Sequence, residues 1–347
     1  MDILLSTNQK LQKANFEIPS GIKAVLAHIE VAEKRFQSAK QDRDNSLYTD
    51  VIYRTNQAFE GILKEGFTIL ANKDGSKVSS NEIEKYLLNN HVFKERVMEL
   101  FTNYRQNWRN PSTHNHQLFF SEEEAFLAIV TVSAFTYILT DQILEKLSYQ
   151  AEKENTEVRA KEIRKSLANY SELEPIEKIR AILIELFLEI RLDKKFMERT
   201  EAQQRGLVSG FLASFEPNIK IDFESVLTKD SRAFRVDFIS HLDNKKIAIH
   251  LNRNKVDLQY EDLDFRLGVQ EMEKWFVANK ITQAVLFYFP IESTDEAMFS
   301  YPSGDTDEIK IIAITPVNKA WADEMRSESE RYADKSNESS ISYDIEE

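Results

Sequence analysis

The sequence predicts a chain of two parts, an all-α helical bundle at the N-terminus and an α/β domain at the C-terminus. Three observations carry that expectation. Apolar residues recur at three-and-four spacing through about the first 150 residues, as on one face of a helix. After about residue 215 the period drops to two, the signature of strands. Two apolar runs, "QAVLFYF" and "EIKIIAIT", then follow a helical stretch, as in a sheet with a crossover helix. At 347 residues the chain is long enough to build two cores. The expected divisions are a helical bundle over 1–150, a helical connector over 151–175, an α/β domain over 176–319 and an acidic tail over 320–347.

In the first part, Ile22, Val25, Leu26, Ile29, Ala32 and Phe36 form one helical face after "IPSG". A second helix starts near Ser46 and ends at the turn "NKDGS". A third begins where Ser79 and Glu82 have capping-box spacing and continues through Val97, Leu100 and Phe101 towards Tyr104. Ser121 and Glu124 repeat the capping box ahead of "AFLAIVTVSAFTYIL". An antiparallel four-helix bundle buries these faces economically. Residues 151 to 200 read as charged helix, with a further helix capped at Ser171 and bearing Ile179, Ile182, Leu183, Leu186, Phe187 and Ile190. Three strands follow, "NIKIDFESVL", "AFRVDFISHL" and "KKIAIHLN", with turns at Lys229-Asp230-Ser231 and Asp243-Asn244. The helix "EDLDFRLGVQEMEKWFVANK" and two strands complete the order.

Composition excludes several classes. There is no cysteine, so disulfides, thiolate metal sites and Cys nucleophiles are ruled out. The longest oily stretch is interrupted by Thr and Ser and reads as a buried helix, not a membrane span. The N-terminus lacks a basic region followed by an apolar core, so a cytoplasmic protein is expected. The net charge of −13 argues against broad attraction to nucleic acid or anionic membrane, but it allows a local basic site. Part of the excess is segregated: residues 320–347 hold nine acidic residues against three basic ones, which predicts a disordered tail.

The stretch "WRNPSTHNHQLFF" gathers an Arg, an Asn, a Pro and two His ahead of the oily helix. Metal-free RNA cleavage would use such residues. A His near its ordinary pKa of about 6.5 exchanges protons with the 2′-hydroxyl or the leaving oxygen at neutral pH. An Arg guanidinium forks onto the phosphate and stabilises charge building on its oxygens. Pro111 would stiffen the loop, and Asn110 would bond the phosphate or orient the His. Arg109 to His114 is therefore the candidate pair, and His116 a further candidate for binding substrate. Arg235 and His241 satisfy a similar spacing inside a predicted strand, so spacing alone does not select the site. The bland alternative is that Arg109 caps helix carbonyls and the histidines are plain loop residues.

Arg109, Asn110 and His114, placed between the third and fourth predicted helices, resemble the signature of the HEPN superfamily, helical bundles found in prokaryotic toxins and antiviral RNases. The stretch "YRTNQAFEGILKEG" also looks like that family's second helix, with Glu60 where an acidic residue is often seen. The resemblance covers about residues 20 to 150. It implies metal-independent endoribonuclease activity leaving a 2′,3′-cyclic phosphate, and a composite site across a homodimer. Arg109 would stabilise the phosphate, His114 would act as general acid and base, Asn110 would orient, and Glu60 would lie on the substrate side with His116. Neither a cofactor nor a metal is implied. The His-x-Tyr of a toxin branch is absent, because Asn115 and His116 follow His114.

The strands "RVDFISHLDNKKIAIHLNR" resemble the core of PD-(D/E)XK restriction-endonuclease-like domains. Asp237 holds the position of that family's Asp, while His250 and Asn252 stand where Glu-x-Lys would be. One hard anionic ligand remains and no lysine, so a degenerate nuclease site is expected. Glu198, Glu201 or Lys255 are the residues that could restore it. The leading reading is thus a cytoplasmic RNase of toxin or antiphage-defence type, acting on RNA such as tRNA, with a C-terminal domain for sensing or binding and a protein partner or activator. Alternatives are a non-catalytic adaptor in a defence complex and a Mg²⁺-dependent DNase acting through the C-terminal domain.

Overall fold

The computed structural model describes residues 2–14, 16–90, 92–114, 119–167, 169–229, 231–253, 263–290, 292–300 and 309–318. It divides into two compact units, residues 1–152 with 198–207, and residues 153–197 with 208–347. The chain pairs a helical N-terminal region with a C-terminal mixed sheet, as the change of period predicts.

The first unit opens with α1 (Ile3–Gln12), capped by Asp2, whose carboxylate accepts the Leu5 N–H at 2.8 Å. Nothing in the sequence reading anticipates this helix. Then come α2 (Ser20–Asp42) and α3 (Ser46–Leu70), which cross closely at Gly61, where a Cβ would lie 2.8 Å from Val25 Cγ2. The expected third helix is in fact two, α4 (Ser80–Asn89) and α5 (Glu95–Tyr104). Tertiary hydrogen bonds fix the break: Gln142 donates to the Val92 carbonyl at 2.7 Å and accepts the Lys94 N–H at 3.3 Å. Both capping boxes form, Ser79 with Glu82 and Ser121 with Glu124.

The expected loop around Pro111 is a correction. The chain continues from α5 through a π turn (Arg105–Arg109) into a short α6 (Asn110–His114). Proline has no N–H for the carbonyl four residues back, here that of Asn107, and its ring would collide with that carbonyl. Widening the preceding turn relieves both problems: the Asn110 N–H reaches back five residues to the Arg105 carbonyl.

Helix α7 (Glu122–Ser166) is longer than expected and takes in most of the region predicted as a separate connector. Its stretch Glu122–Lys165 is long and apolar enough, by length and composition, to cross a membrane; 56% of that stretch's apolar window is buried inside the protein. Ala128, Val132, Phe135, Leu139 and Ile143 join Phe59, Phe67, Phe101 and Tyr104 in the core of the first unit. Stacked or tilted aromatic rings centre that core, with Phe59 and Tyr104 4.6 Å apart.

In the second unit, α8 (Pro175–Ile190) begins at its proline rather than at Ser171, which lies in a 3-10 turn. A residue before proline is pushed to extended backbone, and Glu174 has ψ of 151°, so the helix starts with Pro at its first position. Helix α9 (Glu201–Phe215), which belongs to the first unit up to Leu207 and to the second from Val208, follows, and then the strands β1 (Lys220–Lys229), β2 (Arg232–Leu242) and β3 (Lys245–Asn252). Helix α10 (Leu263–Ala278) leads to β4 (Gln283–Tyr288), β5 (Asp295–Ser300) and β6 (Lys310–Asn318). The sheet order is β1-β2-β3-β4-β6-β5. The first three strands form an antiparallel meander, β3, β4 and β6 are parallel, and β5 pairs antiparallel at the edge. Asp243 and Asn244 both have positive φ, at 48° and 62°, which suits the tight β2–β3 hairpin. Ala248, Ala284 and Leu286 pack with Phe276 of α10, and the alternate residues Ile247, Ile249, Val285 and Phe287 are buried too, so both faces of the sheet are covered. The 320–347 segment lies outside the described residues.

Candidate functional site

Within the first unit, α3 carries Asn56 and Glu60 one helical turn apart, along a surface that also buries Ile52, Thr55, Phe59 and Leu63. The π turn brings Arg109 to this surface. Arg109 Nη2 lies 3.5 Å from Glu60 Oε1, and Nη1 donates to Asn110 Oδ1 at 3.2 Å. The Arg109 side chain is 20% exposed and that of Glu60 42%, so the pair sits at the surface with solvent access. In such a setting the pair is worth little for stability.

A polar network beneath the pair holds the segment in place. The Tyr104 hydroxyl donates to Asn56 Oδ1 at 3.0 Å, Asn56 Nδ2 donates to Ser112 Oγ at 2.7 Å, and Ser112 Oγ donates to the Arg109 carbonyl at 3.1 Å. Burial pushes the Tyr104 phenol far above its ordinary range and the Glu60 carboxylate adds to the shift, so the phenol stays a neutral donor. The sequence reading missed Asn56, Tyr104 and Ser112. A signal existed for Asn56: an amide among buried apolar positions, one turn before an acidic residue.

Of the expected site residues, Arg109, Asn110 and Glu60 are brought together. His114 closes α6, one turn after Asn110. His116 lies outside the described residues.

In the second unit, Asp237 on β2 and His250 on β3 fall opposite each other, one step beyond the Phe238–Ile249 pair. Asp237 Oδ2 lies 3.0 Å from His250 Nδ1 and accepts the Leu251 N–H at 2.8 Å. The Phe234 ring meets the His250 ring edge-on at 5.4 Å. Asn252 turns to another partner, the buried Tyr288 phenol, whose proton affinity burial raises. Asp237 and the two substituted positions thus give a close His–Asp contact, in which His250 Nδ1 makes no hydrogen bond of good geometry among the described residues, and a separate Asn–Tyr contact. Among the described residues no group of three or more His, Asp or Glu could hold a metal ion. Glu198 and Glu201 belong to the first unit, and Lys255 lies outside the described residues.

No family model, no curated protein and no solved structure matches this chain.

Proposed function

We propose that this chain is a metal-independent endoribonuclease of toxin or antiphage-defence type, a HEPN-like bundle joined to a restriction-endonuclease-like domain that senses or binds. One observation carries the reading: the guanidinium of Arg109 is held between Asn110 and Glu60 at the mouth of a π turn that leads directly to His114. Wide turns of this kind occur often at functional sites. In this reading Arg109 forks onto the scissile phosphate and Glu60 and Asn110 keep it aimed. His114 takes the proton from the 2′-hydroxyl, whose oxygen bonds to phosphorus as the bond to the 5′-oxygen breaks. A proton returned to the 5′-oxygen leaves a 2′,3′-cyclic phosphate and a 5′-hydroxyl. RNA, tRNA included, is the substrate, a homodimer in the cytoplasm the working form, and a protein partner the means of control. End-group analysis of RNA cut in EDTA tests this: cyclic phosphates are expected, and cutting that requires Mg²⁺ would overturn it.

For the second unit the strand order, a meander of three followed by helix and parallel strand, supports the restriction-endonuclease-like reading. The Asp237 carboxylate is taken up by His250 and the Leu251 N–H, which favours recognition over Mg²⁺ chemistry there. If the first unit proves inactive, that same engagement favours an adaptor.

A further inference from the structure

The first unit contains an open groove of about 810 Å³ formed by the start of α1, α2 and the N-terminal half of α7. Its floor is apolar. Phe36 is 8% exposed, while Phe126 and Val130, one turn apart on α7, are 52% and 38% exposed. Phe126 packs on Phe36 with ring centres 6.0 Å apart and leaves its other face open. A ridge of this kind on an amphipathic helix is a surface built for a partner. Ser133, further along the same groove, is 4% exposed, and its hydroxyl has no partner among the described residues.

One wall is acidic. Asp2, Glu30 and Glu33 line it, and the one lysine in the lining, Lys34, is engaged by Glu30 at 2.6 Å. Glu33 is half-buried and makes no ion pair or hydrogen bond among the described residues. Burial, and then the Asp2 and Glu30 carboxylates, push its proton affinity up. Among the described residues no cation faces Glu33 at ion-pair distance.

We infer that the groove docks a basic amphipathic helix from a protein partner, with its apolar face on Phe36, Phe126 and Val130 and a Lys or Arg against Glu33. Two occupants from the chain itself have the wrong charge. A second copy meeting this same face would set Asp2, Glu30 and Glu33 against their own counterparts, in a chain of net charge −13. The 320–347 segment, with nine acidic residues against three basic, has the wrong sign. The inference is independent of the ribonuclease reading.

The test is a fluorescence-anisotropy titration of the full chain with three synthetic helical peptides. Two share one leucine face and carry either lysines or glutamates on the polar face; the third has the lysine composition with its apolar face scrambled. The lysine amphipathic peptide is expected to bind tightest, and Glu33→Lys or Phe126→Asp, each checked for folding by circular dichroism, should weaken it by about tenfold or more. Equal binding of the scrambled peptide, or no effect of either variant, would reduce the attraction to net charge and overturn the site. A dimer seen by sedimentation and dissociated by Phe126→Asp would make a second copy the occupant and overturn it as well.

Discussion

Arg109 and Glu60 meet across two helical segments 49 residues apart in sequence, with Nη2 3.5 Å from Oε1. The contact joins the α3 surface to the π turn and gives the guanidinium one direction. Arg109→Lys keeps the charge but loses the fork, and RNA cleavage should fall by about 100- to 1000-fold. Because the pair is solvent-accessible, Glu60→Gln should change the unfolding free energy by less than about 1 kcal/mol while lowering the cleavage rate. Urea titrations beside initial rates check both; a Glu60→Gln enzyme as fast as wild type would remove Glu60 from the site.

Pro111 maintains the wide turn. Pro111→Ala restores a donor for the Asn107 carbonyl and removes the ring clash, so the turn can tighten to regular α-helix. Stability should hold or rise, and cleavage should drop by about tenfold or more as Arg109 rotates away from Glu60. Unchanged cleavage in this variant would show that the turn does not position Arg109.

Asn56 bridges Tyr104 and Ser112. Asn56→Ala removes one bond from each of two hydroxyls, those of Tyr104 and Ser112, and should cost about 1–3 kcal/mol by urea denaturation. The double variant Asn56→Ala with Tyr104→Phe should cost less than the two single changes added together. Strict additivity would contradict the network.

Glu145 holds two cations within the first unit, Arg205 Nε at 2.8 Å and Lys94 Nζ at 3.1 Å, and is itself 5% exposed. Glu145→Ala removes this carboxylate from both cations and should cost about 3–5 kcal/mol. A thermal or urea midpoint near that of wild type would contradict the pairing.

Glu33 has a raised proton affinity in the folded state, so the folded chain holds more protons than the unfolded one between the ordinary carboxylate pKa and the raised value. Its charge therefore opposes folding as pH climbs through that raised value. Glu33→Gln should be more stable than wild type at neutral pH, and the gain should vanish below about 4.3, the ordinary Glu pKa. Paired melting curves across this range check the sign; a variant less stable at neutral pH would contradict it.

Periodicity made α2, α3 and the first half of α7 legible, because each buries one regular face, and short β-rich runs parted by turn residues made the β1–β3 meander legible. What escaped depends on partners distant in sequence. The α4–α5 break is written in Gln142, 48 residues from Lys94, and not in the local propensities. Strand β5, "DEAMFS", lies at a sheet edge and shows no alternation. At the candidate site, residue types pointed to Arg109 and Asn110 and the family resemblance to Glu60, whereas the π turn came from a proline read as loop chemistry. Ser112 was invisible because its role is to bond Asn56 across the bundle, and Asn56 itself showed only as an amide among apolar positions.

The most direct measurement is cleavage of labelled tRNA in EDTA by wild type, Arg109→Ala and His114→Ala, with folding of each confirmed. The account predicts cutting by wild type alone, with cyclic-phosphate ends. Equal cutting by His114→Ala would contradict it.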